Sequence, residues 1–213
     1  METSTLGATH IASALVGLAD DLEARSEELR QLDAAIGDGD LGITAQLGSQ
    51  AIRQFLESSA ETDIGQLFAR CGMSINKASP STFGTLLASA FMAAGKAVRG
   101  KEYVDTGDLV HMGEAAIDGI KKRGHAEVGD KTMLDCLVPA VDGFKSQIES
   151  GSNPTTALQA AVEAAEKGLQ STVGMVSKHG RASWHRENTI GVQDAGATAM
   201  YYMIESFARR LQR

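Results

Sequence analysis

QLDAAIGDGDLGI, residues Gln31–Ile43, is where a long apolar period stops and a cluster of acids begins. Asp33, Asp38 and Asp40 set three carboxylates within eight residues, and Gly37, Gly39 and Gly42 interleave with the last two. Carboxylates this close repel one another, so the cluster needs either full solvation or a cation. Magnesium suits it, being a hard ion that couples a few carboxylates to phosphate oxygens and water. The glycines give the backbone access to positive φ and a close approach to a ligand. An ordinary acidic turn between two helices would use the same residues, and the stretch alone does not choose between the two.

Upstream, Ile11, Leu15, Leu18, Leu22, Leu29, Leu32 and Ile36 recur at helical spacing, interrupted only at Arg25. The spacing predicts one long amphipathic helix ending at the acidic stretch. Asp33 follows Leu29 by four residues and precedes Ile36 by three, so it borders the apolar face. A carboxylate there is costly unless something compensates it, which favours the cation site.

Downstream, Ile43, Leu47, Ala51 and Phe55 predict a second helix, and Ile64, Leu67, Cys71 and Ile75 a third. Phe83, Leu87, Phe91, Ala94 and Val98 mark a fourth, stopped by Gly100. Leu109, Met112, Ala116 and Ile120 give a fifth, closed by Lys121, Lys122, Arg123 and Gly124, as a helix C-terminus prefers. Asp130 reads as the N-cap of a sixth, with Met133, Leu137, Val141, Phe144 and Ile148 on its face. Asn153 and Pro154 open a seventh, whose face is Leu158, Val162, Ala165, Leu169 and Val173. Asp194 is positioned to cap the last, with Ala197, Met200, Ile204, Phe207 and Leu211. No segment alternates as a strand does, and no linker interrupts the chain. The expectation is an all-α fold, one domain over residues 1–213 with about eight helices.

Composition narrows the class. A net charge of −7 excludes nucleic acid as the expected partner. No apolar run approaches the roughly 18 residues of a membrane span, and the N-terminus lacks the pattern of a signal peptide. Cys71 and Cys136 are isolated inside helical patterns, which fits a reducing cytoplasm better than a disulfide framework. Neither has a basic neighbour, and Ser, Cys and His form no nucleophile constellation. His10, His111 and His125 show no metal-ligand spacing.

Two further stretches are unusual for a plain bundle. In GHAEVGDKTMLD, Gly124–Asp135, Gly129 and Asp130 precede a helix start, where exposed N–H groups favour anions; a simple capped turn would look the same. GRASWHRENTIGVQDAG, Gly180–Gly196, is a long connection between strong helices, and such connections are usually functional or disordered. It carries Arg181, whose guanidinium suits a phosphate, and Trp184, an anchor for a partner. His179 and His185 flank Arg181.

Leu32–Gly42 (LDAAIGDGDLG), Gly129–Asp135 (GDKTMLD), and Gly180–Ser183 (GRAS) with Ile190–Thr198 (IGVQDAGAT) together resemble the nucleotide-binding (L) subunit of dihydroxyacetone kinase. Three motifs in order span nearly the whole chain. The resemblance implies a barrel of eight antiparallel helices with the nucleotide among the loops at one end. Asp33, Asp38 and Asp40 would hold two Mg2+ ions that bind the phosphates of ADP or ATP, and would form the catalytic group with Arg181 as phosphate clamp. Leu41, Gly42, Thr44, Ala78, Ser79, Gly124, Met133, Arg181 and the Asp194, Ala195, Gly196 turn would surround the nucleotide. The ketose, dihydroxyacetone or a relative such as erythrulose, would be held by a separate K subunit. A phosphocarrier of the phosphotransferase system would recharge the nucleotide. A transcription regulator and a second copy of the chain are the other partners implied, and neither nucleic acid nor membrane is.

No GxxxxGK[ST] is present, so carboxylate-held metal would stand where a P-loop has its lysine. The chain departs from the family pattern at Leu41 and Thr44, where His and Asn are usual, and at Asn76–Pro80, where a Gly-rich GGASG is usual. Pro80 removes a backbone donor there. A non-catalytic nucleotide-binding regulatory module, or an ATP-exchanging kinase subunit, is the alternative function.

Overall fold

Apolar residues recurring at three and four positions fold residues 5–212, which this computed structural model describes, into nine α-helices. These are α1 (Ala8–Ala24), α2 (Ser26–Ala34), α3 (Asp40–Glu57), α4 (Ile64–Ala78), α5 (Thr82–Ala97), α6 (Thr106–Gly124), α7 (Leu134–Glu149), α8 (Pro154–Ser171) and α9 (Ala195–Leu211). Helix α1 packs on α3, each later helix packs on the next, and α9 returns to α1, closing a ring. Helix α2 lies against α3 and α9. Closure lets one stripe from each helix share a common core: Ile11, Leu15 and Leu18 meet Ile52, Ile64, Leu67, Ile75, Leu87, Ile120, Leu134 and Met200. Each such side chain contributes about 1.5–3 kcal/mol on leaving water. Among the described residues no helix is long and apolar enough to cross a membrane.

The expected caps at Asn153 and Asp194 form: Asn153 Oδ1 accepts from Thr156 N and Asp194 Oδ1 from Ala197 N. The cap expected at Asp130 does not. Helix α7 starts four residues later, and the Asp135 carboxylate gathers the N–H groups of Gly129 and Thr132. Asp130 instead accepts from Glu127 N and pairs with Lys178 and His179. A carboxylate offered a lysine ammonium, an imidazole and a turn amide has better partners than a helix end.

The helix predicted across Ile11–Ile36 breaks at Arg25, whose backbone leaves helical geometry at φ −100°, ψ 8°. Its guanidinium sits over the Tyr202 ring of α9, 3.9 Å from the centroid. That split accounts for nine helices where about eight are expected. The stripe predicted for α3 is also displaced: Ile43 and Leu47 point outward, 56% and 39% exposed, while Leu41, Thr44, Ala45, Gly48, Ile52 and Leu56 are buried. Helix α8 likewise buries Ala157, Ala161, Ala165 and Gly168, with Leu158 only half-buried. On both helices small residues share the buried face with large ones, Leu41, Ile52 and Leu56 on α3 and the expected Leu169 beside Ala165 on α8. Finally, Leu6–Gly7 (β1) pairs antiparallel with Tyr103–Val104 (β2), a ladder too short to leave an alternating signal.

Candidate functional site

In an up-and-down ring every second connection falls at the same end. The connections before α3, α5, α7 and α9 therefore converge, and they wall one cavity of about 490 Å3. The same topology points the N-termini of those four helices at it, starting at Asp40, Thr82, Leu134 and Ala195. Helix starts carry partial positive charge and spare N–H groups, so four together make an anion-binding end. A more open groove of about 610 Å3 lies between Phe55 and Arg70, but it holds one ion pair, Arg70–Glu61, and no converging set of like charges.

The acids stand at the mouth of the first cavity. Each of Asp33, Asp38 and Asp40 offers an oxygen, and these all lie within 4.8 Å of one another. Asp33 comes from the end of α2 and its Oδ2 accepts from Leu41 N at 3.2 Å, tying the two helices across the turn. Gly39, at φ 75°, makes that turn possible, since an L side chain is disfavoured there. Gly42 serves packing: a methyl on it would collide with the Ser26 carbonyl and the Arg30 side chain of α2.

Electrostatics show what the cluster lacks. Two like charges at this spacing repel by about 3 kcal/mol at a surface-like dielectric. Burial, then Asp38, then Asp33 push the Asp40 carboxyl above its ordinary range, while Arg181 opposes the shift. Arg181 Nη1 reaches Asp38 Oδ2 at 3.1 Å and Asp40 Oδ2 at 3.5 Å. One guanidinium against three carboxylates leaves charge uncompensated, and the donor set is entirely oxygen. These residues fit a hard divalent cation such as magnesium.

Of the residues the sequence singles out, Asp33, Asp38, Asp40, Leu41, Met133, Arg181, Asp194, Ala195 and Gly196 line the cavity together. Gly42, Thr44, Ala78, Ser79 and Gly124 do not reach its wall. Thr44 is buried and its hydroxyl donates to Ser81 Oγ, which itself caps α5 by accepting from Gly84 N. Ala78 and Ser79 end α4, with Ser79 buried. Gly124 ends α6 against Leu86. Sequence reasoning passed over Thr82, Leu86, Lys131 and Thr132 as wall residues. Lys131 and Thr132 stand inside the GDKTMLD stretch, which was the available signal. Trp184 is 79% exposed yet stands at the wall, and His179, held by Asp130, stands beside it.

Asp194 is both cap and wall. Burial pushes its carboxyl up to about 6, against the Ala197 N–H and the Lys131 ammonium, which pull it down. Both thiols are buried and free, and burial pushes each up to about 12, so neither is a nucleophile.

A family model described as the DAK2 domain matches residues 35–209. The ADP-binding subunit of the PEP-dependent dihydroxyacetone kinase of Escherichia coli is 34% identical over 204 residues, covering 96% of this chain and 97% of that one. The ADP-binding subunit of the PTS-dependent dihydroxyacetone kinase of Lactococcus lactis is 30% identical over 178 residues, covering 84% of each chain. Among solved structures, the dihydroxyacetone kinase of C. freundii in complex with AMP-PNP and Mg2+ superposes with a TM-score of 0.75 at 25% identity. That match covers 98% of this chain but 35% of the solved one, so the chain corresponds to about a third of that polypeptide.

Proposed function

The chain belongs to the DAK2 domain family, and on that premise we propose that it is the nucleotide-binding subunit of a dihydroxyacetone kinase. In this reading the whole chain, residues 1–213, forms one nucleotide-binding domain that delivers a phosphoryl group to a short ketose held on a separate K subunit. The observation that carries it is the meeting of three carboxylates, one guanidinium and four helix N-termini at a single cavity.

Asp33, Asp38 and Asp40 would hold two magnesium ions, which when bound neutralise phosphate charge and align the transferred group. Arg181 grips the phosphate oxygens from the opposite side. Leu41, Phe83, Leu86 and Met133 offer an apolar wall of the kind a base stacks against, and Asp194, Ala195 and Gly196 present the start of α9 beside it. Thr44 acts through Ser81, the cap of α5, Gly124 through the wall residue Leu86, Gly42 through the close packing of α3 on α2, and Ala78 and Ser79 through the end of α4.

The PEP-dependent and PTS-dependent names of the relatives support a retained nucleotide recharged by a phosphocarrier protein. We assign the reaction to the cytoplasm, the compartment that suits two free thiols. Titration calorimetry with Mg-ADP and a coupled ketose-phosphorylation assay test the proposal. The purified chain should bind Mg-ADP yet phosphorylate dihydroxyacetone only when the K subunit is added. Turnover by the chain alone, or no Mg-ADP binding, overturns it.

A further inference from the structure

Among the described residues the largest fully buried side chain is that of a lysine, Lys131, 1% exposed. Burial pulls its ammonium below its ordinary range, while Asp194 pulls the other way. Its Nζ reaches three backbone carbonyls: Met175 O at 3.1 Å, Thr189 O at 2.5 Å and Val192 O at 2.7 Å. An ammonium has three N–H donors, and all three are used on acceptors of a single segment.

Those carbonyls are not scattered. Met175 stands where the chain leaves α8 and its short 3-10 extension Thr172–Gly174, and Thr189 and Val192 stand where it returns towards α9. Lys131 therefore ties the outgoing strand of the excursion to the returning one. Its neighbour Asp130 grips the tip side: its carboxylate takes Lys178 Nζ at 2.7 Å and His179 Nε2 at 3.1 Å, and its carbonyl accepts from Lys178 N. Between the two grips the chain carries Arg181 to Asp38 and Asp40. Beyond Lys131, the stems are joined by Gly191 N to Val173 O and Ser177 N to Thr189 Oγ1. The backbone conformation of Lys131 adds to the case. At φ 62° it occupies the left-handed region, where glycine or asparagine is the inexpensive choice. A lysine there carries a backbone cost that its three side-chain hydrogen bonds offset.

We infer that Lys131 is the positioning residue of the phosphate site: it staples residues 175–192 so that Arg181 is held over Asp38 and Asp40. The inference rests on the function proposed above for what Arg181 does, but not for the staple itself. Although Lys131 stands in the cavity wall, its Nζ is spent on the three carbonyls, so it acts through Arg181.

Trp184, the lone tryptophan, lies on the stapled segment and reports on it without nucleotide or partner. In Lys131→Met protein whose circular dichroism remains helical, acrylamide should quench Trp184 more strongly and its anisotropy should fall. Lys131→Gln, which keeps a donor but cannot span all three carbonyls, is the second variant should the first not fold, and the same changes are expected. With the K subunit present, kcat should fall by roughly 100-fold, the scale of a misplaced catalytic group, with KM for the ketose unchanged. Lys131→Met combined with Arg181→Ala should lose no more than Arg181→Ala alone. Wild-type quenching and anisotropy in the folded variants, or additive losses in the double variant, overturn the inference while leaving Mg-ADP binding by the wild type intact. Failure of the wild type to bind Mg-ADP, with the Trp184 changes present, overturns the proposed function and supports the staple.

Discussion

Arg181 Nη1 lies 3.1 Å from Asp38 Oδ2, joining the connection before α9 to the connection before α3. Half of the Arg181 side chain and two-fifths of Asp38 are exposed, so the pair adds little to stability. Its meaning is spatial. The guanidinium of Arg181 stands against the carboxylates that would hold a cation, and a phosphate bound there would take the Arg181 contact from Asp38 and Asp40 as the cation neutralises them.

Removing one of the crowded acids separates binding from folding. Asp38→Asn relieves repulsion with Asp33 and Asp40 at the cost of a half-exposed ion pair. In buffer with EDTA its stability should match or exceed that of the wild type, by up to about 1 kcal/mol, with the thermal midpoint equal or higher. With Mg-ADP the wild type should gain several degrees and the variant almost none. Differential scanning fluorimetry in the two buffers reads both, and an unchanged Mg-ADP shift in the variant would remove Asp38 from the metal site.

Arg181→Ala should reduce turnover with the K subunit by roughly 100-fold or more, as expected for loss of a fixed charge at the transferred group. Arg181→Lys should recover little, because an ammonium cannot offer the planar fork. Helical content and unfolding midpoint should remain those of the wild type in both. Steady-state kinetics decide, and full rescue by lysine would mean a point charge is sufficient.

The cap of α9 predicts a pH dependence. The Asp194 carboxyl is raised from 3.8 to about 6 on folding, so the folded chain binds that proton more tightly. Its stabilising contribution is present below pH 3.8 and is lost as pH rises through about 6. Asp194→Asn keeps an oxygen for Ala197 N and removes the charge. Without magnesium it should stabilise the protein at pH 8 by about 2 kcal/mol and change nothing near pH 3.5. Urea unfolding at the two pH values checks this, and an equal effect at both would refute it.

The outward stripe of α3 is testable by two substitutions on one helix. Ile52 is buried and Ile52→Ala should cost about 3 kcal/mol, whereas exposed Ile43→Ser should cost less than about 0.5 kcal/mol. Comparable losses would return Ile43 to the core.

Much of this protein was legible before folding. Helical periods located the elements, Asn153 and Asp194 announced two helix starts, and Asp33 on the edge of an apolar face pointed to a compensating cation. These are local or nearest-turn relationships, and local geometry follows from residue type. The face of α3 was not legible and that of α8 only in part, with Ala165 and Leu169 buried as expected, because two stripes at the same period compete and only the neighbouring helices decide which one is buried. Asp130 was misread because its partners, Lys178 and His179, are distant in sequence, and a cap is the best a carboxylate can do only until such partners arrive. The sequence by itself determined the helices, the acidic cluster and its spacing from Arg181 along the chain. Tertiary structure alone decided that four helix starts share one end, that Arg181 reaches Asp38 and Asp40, and that Lys131 disappears into the interior to hold the segment that carries it. Closure of a ring and the burial of a charge are properties of packing, and no window of sequence contains them.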